Sequence, residues 1–136
     1  LTSEEKRQEL IRYRLKQAAE SLEEAEFLLS GKMSSRSIIN RAYYAMFYAV
    51  LALLVNEPYA SSKHTGVLAF FNKNFIKSGL LPEALGRSLN KAFELRQRGD
   101  YREYIELTHE QVAPFIGEAR NFIVAVRVHL DMAIDK

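Results

Sequence analysis

Apolar positions recur at helical spacing along nearly the whole chain. Ile11, Leu15, Ala18, Leu22, Ala25 and Leu29 are separated by alternating steps of four and three residues, which lays one apolar stripe along a long helix. The pattern predicts a helix from Thr2 or Ser3 to Ser30. Ser3 is the expected N-cap, Glu4 and Glu5 favour the first turn, and Gly31 is the expected C-cap. Such a helix would reach roughly 40 Å and needs a partner of similar length. A second helix is expected from Ser34 or Ser35 to about Asn56. Ile38, Ile39, Ala42, Tyr43, Met46, Phe47, Val50, Leu51 and Leu54 form its apolar face, widened by Tyr44, Tyr48 and Ala49. A helix apolar around so much of its circumference belongs at the centre of a bundle or at an interface.

Pro58 and its neighbours read as a loop. A third helix is expected from about Lys63 to Lys77, capped by Ser62 and ended by Gly79, with Val67, Leu68, Phe70, Phe71 and Phe75 inward. Pro82 is placed at the first position of a fourth helix, where a missing amide hydrogen costs little. That helix carries Leu85, Leu89, Ala92, Phe93 and Leu95 and is expected to end before Gly99. Asp100 with Glu103, and Thr108 with Gln111, have capping-box spacing. They suggest a short helical turn over 101–107 and a boundary near Thr108, with Pro114 favouring a bend. The last helix carries Val112, Phe115, Ile116, Ala119, Phe122, Ile123, Val126 and Leu130. No segment reads as strand. The expected fold is all-α: one domain, 1–136, built as an up-and-down bundle of four to five helices.

Composition narrows the chemistry. The 136 residues contain no Cys, which removes disulfides, thiolate metal sites and cysteine nucleophiles. The net charge of +2 is nearly balanced and does not by itself indicate a nucleic-acid partner. The apolar stretch from Ala42 to Val55 is read as too short to span a bilayer. The chain opens on polar helix with no leader pattern, so no membrane association and a cytoplasmic location are expected. No phosphate-cradling glycine motif or metalloprotease motif is present. The histidines at 64, 109 and 129 are far apart, and only Glu106 with His109 has the Glu-x-x-His spacing of a di-iron bundle, so neither metal nor cofactor is expected.

Two polar knots stand out. The first is R96-Q97-R98-G99-D100-Y101-R102. Arg96, Arg98 and Arg102 could hold a phosphate through forked hydrogen bonds, and Tyr101 could donate to the same oxygens. The structural reading is as strong: Gly99 and Asp100 would be a C-cap followed by an N-cap, with arginines favoured at a helix C-terminus. The second knot surrounds Asn40 on the apolar second helix. A buried Asn needs partners and could orient an arginine from the junction; it could equally cap a backbone group or face solvent. Arg36 and Arg41 read as surface groups. His64, at the start of the third helix, reads as a neutral ring or a capping group rather than a catalytic one.

The stretches S37-I38-I39-N40-R41-A42-Y43-Y44-A45-M46-F47-Y48-A49, S62-K63-H64-T65-G66-V67 and L95-R96-Q97-R98-G99-D100-Y101, in this order, resemble the HEPN family of small helical domains. The resemblance implies a helical bundle that dimerises. It also implies a metal-independent ribonuclease, often the toxin half of a pair with a small nucleotidyltransferase antitoxin. The family signature is Arg, four to six residues, then His: the arginine stabilises phosphate charge and the histidine moves protons, with two copies meeting across the dimer. Arg96 matches the signature arginine, but Tyr101 stands where His is expected, and a phenol is a poor base at neutral pH. The resemblance therefore assigns phosphate recognition to Arg96 with Asn40 and Tyr101 nearby. Arg102 and His109 form a second Arg-x6-His pair, a spacing that eleven arginines and three histidines readily meet by chance. Tyr101 or Tyr104 would be the tyrosine an antitoxin modifies. Three functions follow: a ribonuclease or RNA-binding homodimer, a non-catalytic module that pairs with a nucleotidyltransferase or another protein, and a structural bundle.

Overall fold

The computed structural model describes residues 1–59, 61, 63–101 and 106–134, with the side chains of residue 101 and of 132–134 outside that description. Its helices are α1 (Ser3–Ser30), α2 (Ser35–Leu54), α3 (His64–Phe71), α4 (Glu83–Tyr101), the single turn α5 (His109–Val112) and α6 (Pro114–Ile134). No strand occurs among the described residues. The all-α expectation holds, with five helices and one isolated turn.

α1 is capped by Thr2 rather than Ser3. The Thr2 hydroxyl accepts from the Glu5 amide while the Glu5 carboxylate accepts from the Thr2 amide, a reciprocal pair that Ser3 has no acid correctly spaced to make. Gly31 caps the other end with φ −82°; the left-handed residue in the turn is Lys32, at φ 54°. The short turn folds α2 back along α1. α2 is the axis of the molecule, packed against α1, α4 and α6. Ile38, Ile39, Ala42, Tyr43, Met46 and Val50 are fully buried on it. By length and composition α2 could cross a membrane, so the shorter estimate from its Ala42–Val55 stretch is corrected; its apolar surface is used inside the bundle instead.

α3 ends earlier than its pattern predicts. A π-helical turn covers Asn72–Ile76, and the Lys77 amide reaches back five residues to the Asn72 carbonyl at 2.8 Å. Asn72 and Asn74 each donate from the side-chain amide to the carbonyl four residues earlier, at 2.9 and 3.0 Å, so side chains compete for the acceptors of an ordinary α-ladder. Lys63, not Ser62, occupies the N-cap position of α3 without a side-chain bond; Ser62 lies outside the described residues.

α4 departs most from expectation. It begins after Pro82 and runs straight through Gly99 and Asp100 to Tyr101. Gly99 is not a C-cap. A β-carbon there would lie 3.0 Å from Leu107 Cδ1 and 3.3 Å from Arg36 Cγ, so this glycine allows close packing inside a continuous helix. Asp100 is consequently a helical residue facing Arg96, four positions earlier, rather than the cap of a new helix. The turn expected after Asp100 falls largely outside the described residues. Thr108 and Gln111 do form a capping box, and Pro114 starts α6 just after α5.

Phe71 and Phe122 seal the α3–α6 contact, both fully buried with ring centroids 5.5 Å apart. Phe122→Ala should cost about 3–5 kcal/mol in chemical denaturation. Val124→Ser, on the exposed side of the same helix, should change stability by less than about 0.5 kcal/mol.

Candidate functional site

Residues from the three stretches that carry the family resemblance meet around the aromatic middle of α2. Tyr43, Tyr44, Phe47 and Tyr48 form successive ring contacts along one side of that helix. Arg96 descends on them from α4. Its Cζ lies 5.3 Å from the Tyr43 ring centroid and 5.3 Å from that of Tyr44, and its Nη2 donates to the Tyr44 hydroxyl at 3.4 Å. The α4 helix running on past Gly99 brings Asp100 Oδ2 to 3.6 Å from Arg96 Nε, an ion pair too long for a hydrogen bond. Only 16% of the Arg96 side chain is exposed, and its buried Nε finds no hydrogen-bond acceptor among the described residues. The Nε is closed to solvent, so an anion would be met by the outer guanidinium nitrogens, in a shielded setting that strengthens the contact.

His64 supplies the second half of the site. As the first residue of α3 it lays its ring on Phe47, with centroids 4.1 Å apart and planes 9° from parallel, and its edge meets Tyr44. Its Nδ1 is 2.7 Å from the Tyr43 hydroxyl. Burial of the ring, reinforced by the Arg96 cation, pulls the His64 pKa below the ordinary 6.5, so the neutral form prevails near pH 7. Tyr43 is itself fully buried, and that burial drives its pKa well above the ordinary phenol value, with Arg96 opposing. The phenol therefore keeps its proton. Either neutral tautomer of His64 satisfies the contact. In one, Tyr43 donates to Nδ1; in the other, Nδ1–H donates to the phenol oxygen and Nε2 carries the free lone pair that a general base needs.

The remaining sequence candidates separate. Asn40 does orient an arginine, though its neighbour on α2 rather than one from the junction: Arg41 Nε and Nη2 donate to Asn40 Oδ1 at 3.1 and 2.9 Å. Arg41 also lies 5.0 Å over the Tyr44 ring, which places it beside the Arg96 site. Arg98, two positions from Arg96, lies on another side of α4 and sits 3.9 Å from Glu94. Arg96 and Arg98 are therefore not gathered on one side of α4, and Arg102 lies outside the described residues. Tyr101 closes α4, but its side chain, like all of Arg102 and Tyr104, lies outside the described residues. His109 Nε2 donates to the Met33 carbonyl at 2.7 Å, tying α5 to the α1–α2 turn. Among the described residues no three His, Asp or Glu side chains converge as a metal ion would require.

His64 is the functional candidate that sequence reasoning passed over. Its separation from Arg96 by 32 positions makes no local motif. The available signals were indirect: its place in the second of the stretches that carry the family resemblance, and its position at the start of a helix opposite a run of tyrosines on a core helix.

Two outcomes follow from this arrangement. In a histidine NMR titration, His64 should titrate below pH 6.5, and Arg96→Ala should move its inflection upward, since it removes a cation and admits water. Because the folded ring binds its proton more weakly than the unfolded one, the stability His64 contributes is complete above about pH 6.5 and is lost as pH falls through the folded inflection. His109→Ala should instead lower stability by about 1 kcal/mol through loss of its carbonyl bond and leave the His64 titration unchanged.

The HEPN domain pattern matches residues 11–129, a span that includes His64, Arg96 and the tyrosines of α2. A UPF0332 protein of Thermotoga maritima is 41% identical over 120 residues, covering 88% of this chain and 90% of its own length. Two proteins of Methanocaldococcus jannaschii, named as candidate toxins, are each 34% identical. They cover 85% and 81% of this chain and 78% and 81% of their own lengths. With the match extending over nearly all of the bundle, this chain belongs to the HEPN domain family.

Proposed function

We propose that this protein is an RNA-directed phosphodiester-binding domain that acts as a metal-independent endoribonuclease, with Arg96 and His64 as its working pair. The observation that carries this reading is the juxtaposition of a shielded, under-satisfied guanidinium with a neutral imidazole, both packed on Tyr43 and Tyr44. Arg96 N–H groups donate to the non-bridging oxygens of the scissile phosphate. His64 Nε2 takes the proton of the adjacent 2′-hydroxyl, whose oxygen then attacks phosphorus. The bond from phosphorus to the 5′-oxygen breaks, and that oxygen takes a proton from water. The products are a 2′,3′-cyclic phosphate and a 5′-hydroxyl. Tyr43 fixes the ring that moves the proton, and Asp100 fixes the arginine.

This reading gives His64 the proton-handling role that the signature histidine would have had and that Tyr101, as a phenol, fills poorly. It keeps Arg96 in the phosphate role and gives Arg102 and His109 none. The names of the two archaeal relatives support a toxin role, which this reading sets within a toxin–antitoxin pair. The active form would be a homodimer, with a nucleotidyltransferase as the antitoxin partner. A second reading, a non-catalytic protein-binding module, draws on Phe27, 78% exposed on α1 beside Glu23 and Glu24. On that reading Arg96 and His64 substitutions leave the cellular effect intact.

The test is cleavage of single-stranded RNA in EDTA with end-group analysis of the products. Cyclic phosphate ends are expected. Arg96→Ala and His64→Ala should each lower kcat/KM by about 100-fold or more, while His109→Ala stays within about threefold. The acid limb of the rate profile should bend below pH 6.5, where His64 takes up its proton. Cleavage that persists in His64→Ala and disappears in Tyr101→Phe would give the role to Tyr101 instead. Cleavage indifferent to Arg96 would reject the mechanism.

A further inference from the structure

We propose that Arg41, positioned by Asn40, holds a second phosphate of the same RNA strand, next to the one taken by Arg96, and that Glu24 occupies this position until RNA arrives. The inference rests on the reading of Arg96 as a phosphate group. Both guanidiniums lie against one ring: Arg41 Cζ is 5.0 Å and Arg96 Cζ 5.3 Å from the Tyr44 centroid, so they are no farther apart than the sum of those distances. Two cations sharing one aromatic ring would repel each other, and each has its own carboxylate, Asp100 for Arg96 and Glu24 for Arg41.

Those carboxylates differ. Asp100 is on the same helix as Arg96 and only 26% of its side chain is exposed. Glu24 comes from α1, is 57% exposed, and meets Arg41 Nη1 at 3.3 Å. An exposed single contact of this kind contributes little and is readily displaced by a phosphate. Arg41 keeps its aim when Glu24 leaves, because Nε and Nη2 remain bonded to Asn40 Oδ1. Beside Arg41 a cleft of about 320 Å³ opens where α1, α2 and α4 meet, lined by Leu28, Arg36, Ser37, Asn40, Arg41 and Asp100. Gly99 lets the Arg36 stem lie against α4 at the edge of this cleft. The cleft thus offers two arginines and a hydroxyl next to the Arg96 site, with Asp100 already engaged. It suits a polyanionic strand that continues past the scissile bond, and it would make the site prefer an RNA chain to an isolated phosphodiester.

The experiment compares two uncleavable probes, a 2′-O-methyl dinucleotide with one phosphate and a 2′-O-methyl hexanucleotide, by NMR titration and fluorescence anisotropy at several salt concentrations. Arg41→Ala should weaken hexanucleotide binding about tenfold and reduce its salt slope by about 0.7, leaving dinucleotide binding within twofold. Glu24→Gln should tighten the hexanucleotide about threefold without affecting the dinucleotide. This variant alters an exposed side chain, so its gain cannot come from misfolding. Arg96→Ala should weaken both probes. If Arg96→Ala weakens both while Arg41→Ala and Glu24→Gln leave the hexanucleotide unchanged, the second subsite is wrong and the Arg96 reading stands. If Arg41→Ala weakens both probes equally, Arg41 belongs to the first site and the proposal fails. If the wild-type protein binds neither probe, both readings fail.

Discussion

The structure is organised around one electrostatic constraint, the placement of the Arg96 cation largely out of water. A guanidinium with 16% of its side chain exposed carries a desolvation cost that needs compensation. Here the compensation is partial and diffuse. Two tyrosine rings offer their faces or edges, one hydroxyl accepts at 3.4 Å, and one carboxylate stands at 3.6 Å. No close two-toothed carboxylate partner completes it among the described residues. A protein stabilised for folding alone gains little from this arrangement, since an apolar side chain in the same place would pack without the cost. The arrangement makes sense for a group whose full set of partners includes a bound anion.

His64 depends on the same constraint. Its partner at Nδ1 is a phenol rather than a carboxylate. An aspartate there would stabilise the imidazolium and raise the histidine pKa. Tyr43, kept protonated by burial, fixes the ring without adding charge, and burial of the ring, followed by the Arg96 cation, disfavours a second charge there. The result is a neutral imidazole beside a permanent positive charge. Those are the states required to accept a proton from a hydroxyl and to hold a phosphate. The fold provides them by laying α3 and α4 across one aromatic side of α2.

Much of the fold was legible in the sequence because helices announce themselves by period. The stripe on α1, the wide apolar face of α2, the Thr108–Gln111 box and the break at Pro114 all lie where local chemistry places them. The misreadings came from residues with two physical uses. Gly99 suits a helix terminus, but it also suits close contact with Arg36 and Leu107, and the second use prevails. Reading it as a stop cut Asp100 away from Arg96. Asn72 and Asn74 look like ordinary helix residues, yet their amides take backbone carbonyls and open a π turn. In the candidate site, Arg96 was legible from its charged, glycine-containing neighbourhood. His64 was not, because its meaning lies in a ring stacked on Phe47 and a bond to Tyr43, and neither has a spacing in the linear chain.

The central claim is that Arg96 and His64 face one phosphate between them. The most direct measurement is the His64 pKa by NMR, taken with and without a saturating 2′-O-methyl dinucleotide. A phosphodiester in that position offsets the Arg96 charge and places an anion beside the imidazole, so the His64 inflection should rise on binding, and the rise should vanish in Arg96→Ala. A His64 titration unchanged at saturation, or a shift confined to His109 or His129, would contradict the account.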